Sequence, residues 1–234
     1  MRVRFILPLV AASLAGCSML PEGSTRHGRS ASTDTGSTYS SPVVQALPAP
    51  RDAATGQCLS RLAQAGAEYS ALPDRYVDQG CTNLGTVQLA ALHSDGATLG
   101  VSNLGPVTCE VSQVFAAWAR FGVDRAARQI LGSGVRSIET FGSYSCRNVA
   151  GTDRRSAHAT GAAIDVSGFV LEDGRRVMVK SAWFGGSESE REFLRVVQHS
   201  ACKRFATVLG PDYNSAHHDH LHVEGVLGSF SYCR

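Results

Sequence analysis

A surplus of either charge is what this chain most obviously lacks: 22 Lys and Arg stand against 20 Asp and Glu. A protein that tracks phosphates normally carries a basic excess, so no nucleic-acid partner is expected. Long apolar runs are missing too. The chain opens Met1-Arg2-Val3-Arg4, and the apolar stretch that follows, Phe5 to Ala12, is too short for a stable membrane span. Its basic start, short apolar core and small-residue end make it a secretory signal. Cys-x-x-Cys pairs are absent, which removes the usual thiolate zinc knuckle. There is no internal repeat and no second low-complexity break, so one folded domain is expected. The 43% apolar and 18% charged content fits a globular chain and argues against wholesale disorder.

What the chain does have is seven cysteines, an odd number. One of them ends the signal: Leu14-Ala15-Gly16-Cys17 resembles the lipobox of bacterial lipoproteins, with cleavage after residue 16 and acylation of Cys17. The alternative is an ordinary cleavage site beside a chance cysteine. Several acyl chains on one residue hold a protein firmly, since each buried methylene contributes about 0.8 kcal/mol. Ser18, and not Asp, follows the cysteine, which by analogy with lipoprotein sorting points to the outer membrane with the domain facing the periplasm. Loss of Arg2 and Arg4 with the signal leaves the remaining chain formally neutral. The other six cysteines read as three disulfides of an exported protein. Pairing of sequence neighbours, Cys58 with Cys81, Cys109 with Cys146 and Cys202 with Cys233, is the expectation.

Residues 17–51 are dominated by Ser, Thr, Gly, Pro and Ala and have no apolar periodicity. They cannot bury enough surface to offset their ordering entropy and read as a tether of about 30 Å r.m.s. span. The folded domain is expected over 52–234. Its first part reads as helical, with Val111, Val114, Phe115 and Trp118 on one face and a further short helix from Asp124. Extended runs follow from Val135, including Ala162 to Val166 and Arg176 to Val179. A helix with Ser187 and Glu190 at capping-box spacing carries Phe193, Val196 and Val197 on its buried side. The last strand runs His220 to Glu224, where period two sets Leu221 and Val223 on one face and His220, His222 and Glu224 on the other. Helices first and strands later predict an α+β domain.

Of eight histidines, His217, His218, His220 and His222 fall within six residues, with Asp219 among them. Converging neutral imidazoles suit a zinc ion, although a solvated His-rich loop has the same composition. Upstream, Ser156-Ala157-His158-Ala159-Thr160-Gly161-Ala162-Ala163-Ile164-Asp165 sets a histidine seven residues before an aspartate, with small residues between them that permit a tight turn. Taken singly, His158 reads as a hydrogen-bonded core histidine and Asp165 as a strand-end cap.

The pattern Ser-x-His-x-x-Gly-x-Ala-x-Asp, followed downstream by His220-Leu221-His222, resembles the signature of zinc peptidases that share a fold with D-alanyl-D-alanine carboxypeptidases, murein endopeptidases and the hedgehog signalling domain. More closely, Gly142 to Asn148, Asp165 to Phe169, Val208 to Pro211, His218 to His222 and Tyr232 to Arg234 resemble the bacterial extensin-like C-terminal domain family. The resemblance covers nearly all of the segment from Cys58 to Arg234. It implies a hedgehog/DD-peptidase-like fold, N-terminal helices followed by an antiparallel sheet carrying the metal site. It implies Zn²⁺ held by His158, Asp165 and His222 with water at the fourth position. His220 would stabilise an oxyanion or act as acid or base, and Arg147 matches an arginine placed near the scissile peptide. In several of these peptidases a glutamate three residues before the last zinc histidine is the general base; here the slot holds Asp219, one methylene shorter, with His217, His220 or Glu224 as substitutes. The expected function is therefore a lipid-anchored, zinc-dependent hydrolase cutting an amide bond in peptidoglycan peptides. The competing class is a non-catalytic zinc-binding module that binds peptidoglycan or an envelope protein.

Overall fold

A computed structural model describes residues 52–234; the expected signal, Cys17 and the tether lie outside the described residues. Asp52 caps the first helix, accepting from the Thr55 amide at 2.8 Å, and α1 (Ala53–Gln64) buries Cys58 and Leu62. Six strands follow before the next helix: β1 (Glu68–Ala71), β2 (Arg75–Asp78), β3 (Cys81–Asn83), β4 (Thr86–His93), β5 (Thr98–Ser102) and β6 (Val107–Thr108). The expectation of helices first is thereby corrected. The missed signal is the period-two burial of Val87, Leu89 and Ala91 along β4.

Helix α2 (Cys109–Trp118) runs on through wide, π-type turns to Leu131 and stops where Gly132 takes φ 70°. Asp124 does not start a new helix. It lies fully buried inside this run, accepting from the Val135 amide at 2.8 Å and from Arg128 Nε at 3.1 Å, so it ties the helix to the next strand. The remaining elements are β7 (Val135–Gly142), a short 3₁₀ turn at Ala157–Thr160, β8 (Ala163–Leu171), β9 (Arg176–Met178), α3 (Val179–Gly185), α4 (Glu188–Cys202), β10 (Thr207–Leu209), β11 (Leu221–Glu224) and β12 (Tyr232–Cys233).

Among the described residues the strands form one ten-stranded sheet in the order β1-β4-β5-β7-β8-β11-β10-β12, with β6 on β4 and β9 on β8, and a separate hairpin of β2 and β3. The pairing is antiparallel except at β5–β7 and β10–β12. The domain is therefore mixed α+β, and both halves of the chain build its main sheet. Trp118 centres the core, its ring edge-on to Phe169 and Phe205 and its Nε1 donating to the Val197 carbonyl at 3.1 Å. In α4 the capping box forms in both directions, as its sequence predicts. Its buried stripe is Phe193, Leu194, Val197 and Ala201, while Val196 is 40% exposed. At 100° per residue Val196 falls more than a quarter-turn from the stripe's centre, which is why the expectation for it fails. No helix of the described residues is long and apolar enough to cross a membrane.

Three disulfides close, and two differ from the neighbour pairing. Cys58 bonds Cys109, Cys81 bonds Cys146, and only Cys202–Cys233 is as expected. Connectivity follows spatial packing here. Cys58 on α1 meets the first residue of α2, and Cys81 on the β2–β3 hairpin meets the loop that leaves β7.

Candidate metal centre

Strand pairing assembles the site. In the antiparallel ladder of β8 and β11, His222 stands opposite Asp165, while Leu221 opposite Val166 and Val223 opposite Ile164 turn into the core. The third residue arrives on the turn before β8. Ser156 receives the His158 amide at 3.4 Å, and Gly161 ends the turn at φ 65°. A Cβ on Gly161 would stand 2.9 Å from the Pro106 carbonyl oxygen, so glycine is required both by the backbone and by the close approach. The turn delivers a His158 side chain that is 4% exposed.

Three donors converge as a result. His158 Nε2 lies 3.2 Å from His222 Nδ1 and 3.2 Å from Asp165 Oδ2, and His222 Nδ1 lies 2.9 Å from Asp165 Oδ1. Tetrahedral zinc with bonds of about 2.0–2.1 Å sets its ligands about 3.3 Å apart; the two imidazole nitrogens stand at 3.2 Å, Asp165 turns one oxygen to each of them, and one donor atom from each residue lies within 4.8 Å of the others. The outward ring nitrogens are also engaged. His158 Nδ1 is 3.0 Å from the Ser143 carbonyl and His222 Nε2 is 3.0 Å from Glu224 Oε2, contacts that leave the inward nitrogens as lone-pair donors. Two imidazoles and one carboxylate suit zinc by ligand type. Among the described residues this is the one group of three with donors so close together.

Electrostatics bind the group tightly. Burial opposes ionisation of Asp165, but hydrogen bonds from His158 and His222 outweigh it and hold the carboxyl well below its usual range. Burial likewise opposes charge on His222, yet Asp165 and Glu224 raise it to about 9. The cluster thus stabilises positive charge among its inward atoms. His217 behaves oppositely: burial, with the neighbouring His220 and His222, lowers it to about 4, so it is neutral at ordinary pH.

The other expected residues fall around this centre. His220 precedes β11, its Nε2 3.4 Å from Asp165 Oδ1 and its Nδ1 2.9 Å from Asp219 Oδ1. Asp219 is thereby occupied with His220, with His218 Nε2 at 3.6 Å, and is not part of the cleft wall. His217 is fixed by Asn214 at 2.7 Å and packs its ring 5.2 Å from that of His220. All three imidazoles, His217, His220 and His222, border a cleft of about 530 Å³ with Arg147, Glu224 and Tyr213. The sequence did not single out Arg154, Tyr213 or the Ser143 carbonyl. Only the carbonyl carried no residue-type signal at all, since any side chain could have supplied it.

Neither the curated proteins nor the solved structures contain a match to this chain. A family model, by contrast, spans residues 56–234, which includes every element from α1 to β12 that bears on the centre. The chain belongs to the family described as extensin-like protein C-terminus.

Proposed function

We propose that this protein is a lipid-anchored, zinc-dependent hydrolase of the bacterial cell envelope that cleaves an amide bond in peptidoglycan peptides. The observation that carries this reading is the convergence of His158, Asp165 and His222, each outward nitrogen already bonded, with Asp165 and His222 lining a cleft. The kinship with zinc peptidases of the D-alanyl-D-alanine carboxypeptidase, murein endopeptidase and hedgehog group belongs to this reading, as do acylated Cys17 and an outer-membrane location. When bound by the three ligands, Zn²⁺ supplies a water of lowered pKa and a Lewis acid for the carbonyl.

The chain's own residues supply the proton transfers. His217, neutral at ordinary pH and on the cleft wall, accepts a proton from the attacking water. His220 has a carboxylate oxygen near each ring nitrogen, Asp219 on one side and Asp165 on the other, and the pair fixes its ring in the cleft. A proton held by His220 goes to the leaving amine, and the one His217 took from the water passes to His220, whose ring lies 5.2 Å from it. Asp219 acts through His220 in this scheme and orients it. Arg147 on the rim contributes positive charge toward the developing oxyanion.

A second reading has one observation in its favour. Asp219, in the slot where related peptidases carry a base, is committed to His220, and Glu224 is committed to His222. A non-catalytic module that binds zinc and peptidoglycan would tolerate that arrangement. Incubating the purified, zinc-loaded full chain with isolated sacculi separates the two readings. New muropeptides in the digest, absent with His158→Ala, are the expected result; sedimentation with sacculi and no product from pH 5 to 9 selects the module.

A further inference from the structure

We propose that Tyr213 and Tyr232 form a stacking platform for a neutral sugar ring at the end of the cleft away from the metal centre, so that the substrate is a peptide still attached to its glycan. That the sugar is an N-acetylhexosamine of the peptidoglycan strand rests on the hydrolase reading above; the platform itself does not.

Strand register lays the platform on the same sheet face as the metal centre. Asp165 on β8 stands opposite His222 on β11, and His222 opposite Leu209 on β10. Two residues along the same ladders, Glu224 stands opposite Thr207, and Thr207 opposite Tyr232 on β12. Residues directly opposite share a face, so this one runs from carboxylates and imidazole through Leu209 and Thr207 to a tyrosine. Val208 and Val223, between them in sequence, turn into the core. Neighbouring strands lie about 4.8 Å apart, which sets β12 about 10 Å from β11, within reach of one ligand. Tyr213 closes the corner from the loop between β10 and β11, its ring 6.2 Å from that of Tyr232 at 88° and 5.6 Å from that of His217.

Exposure and rigidity mark the pair as a binding surface. Among the described residues it is the one ring pair whose members are both exposed, Tyr213 at 40% and Tyr232 at 43%; the others lie in the core or include a histidine of the site. Both tyrosines border the cleft, and neither is loosely held. The Tyr213 amide donates to the Gly210 carbonyl at 2.9 Å, and Asp212 beside it receives Trp183 Nε1 at 3.1 Å and pairs with Arg195. Next to Tyr232, Cys233 is bonded to Cys202 and the Arg234 amide donates to the Val208 carbonyl at 2.9 Å. The Arg234 guanidinium, which does not border the cleft, stacks over the Tyr232 ring at 5.2 Å. Rings fixed in advance lose little freedom when a ligand arrives. The side chains that line this end, Thr207, Leu209, Tyr213, Asn214, Ala216 and Tyr232, carry no charge, unlike the arginines and acids of the rest. A pyranose ring fits such a wall, since its C–H face packs on an aromatic ring and its hydroxyls pair with those of the tyrosines and Thr207. An aliphatic side chain would cover those hydroxyls and leave them unpaired.

The test uses the purified, zinc-loaded full chain and chitotetraose, a probe without peptide, so that peptide turnover does not enter the readout. Binding is followed by NMR shift changes, with N-acetyl-leucine amide titrated beside it as the aliphatic competitor. Saturable binding of the sugar, with shifts at the Tyr213 and Tyr232 rings, is expected. Tyr213→Leu and Tyr232→Leu, which keep apolar volume and lose the ring, should each weaken it at least about tenfold, and the Phe variants, which keep the ring, by less. The absence of saturable binding, or an affinity unchanged in both Leu variants, overturns the proposal. Where a Leu variant fails to fold, the parent decides: sugar-induced shifts that leave both tyrosine rings untouched overturn it as well. Tighter binding of the leucine amide at the same rings overturns it in favour of an apolar side-chain pocket. Sugar binding by a chain that yields no muropeptides keeps the platform and rejects the hydrolase; muropeptides from a chain that binds no sugar do the reverse.

Discussion

On one face of the β8–β11 ladder Ile164, Val166, Leu221 and Val223 are shut away from water, while on the other Asp165, His222 and Glu224 border an open cleft. The two faces share a backbone and differ in what they require of it. Apolar burial is non-directional, so the inner face needs the right volume in the right register and tolerates small shifts. The outer face needs atoms placed to a fraction of an ångström, because hydrogen bonds and metal ligation decay steeply with geometry. A single pairing register sets both, and slipping it by one residue would turn the histidine into the core and the valines into the cleft. The dry face thereby fixes the position of the wet one.

The largest effect belongs to the ligands: His158→Ala or His222→Ala should take bound zinc from one ion per chain to none by elemental analysis after dialysis, and a stoichiometry unchanged by both would remove the metal centre. Next comes the inner face. Leu221→Ala should cost about 2–4 kcal/mol of stability by denaturant titration while keeping its zinc, since it opens a cavity without touching a donor. Loss of metal in that variant, with folding intact, would show that the faces are less separable than their shared ladder suggests. Glu224→Gln should be milder, weakening zinc about 10- to 100-fold by chelator competition and leaving the unfolding midpoint of the metal-free chain nearly unchanged, because it alters only the support behind His222. The smallest effect should come from a charge cluster on neither face. Hydrogen bonds from Arg125 and Arg120 lower Asp95 to about 2. A depressed acid stabilises above its unfolded value near 3.8 and loses that contribution as pH falls through about 2. Asp95→Asn should therefore lower the urea midpoint slightly at pH 7, and the difference from the parent should shrink as pH falls below 3.8 and vanish below about 2.

The outer face was the more legible of the two in the sequence. Period two set His222 and Glu224 together, and the glycine and alanines after His158 signalled a turn that brings it close; each of these is a local rule. The convergence of His158 with His222, sixty-four positions away on β11, was not local, and only the resemblance of motifs supplied it. Cysteine pairing was illegible for the same reason: Cys58 and Cys109 join because α1 packs on α2, a fact with no trace in spacing. The early strands were hidden by alanine. Ala90 and Ala91 blur the alternation in β4, β1 and β2 are short and mostly exposed, and β3 has only three residues, so they carry little apolar pattern.

The Cys81–Cys146 bridge has a practical consequence. It joins a mostly exposed hairpin to the loop that carries two cleft arginines, and it lies outside the aromatic core around Trp118. A chain in which this one bridge stays open, with Cys58–Cys109 and Cys202–Cys233 closed, would keep helices, sheet and three metal donors while the rim of its cleft drifted. Spectra that report only the core would pass such a preparation as native. The redox history of a sample therefore belongs beside its metal content whenever its ligands are ranked.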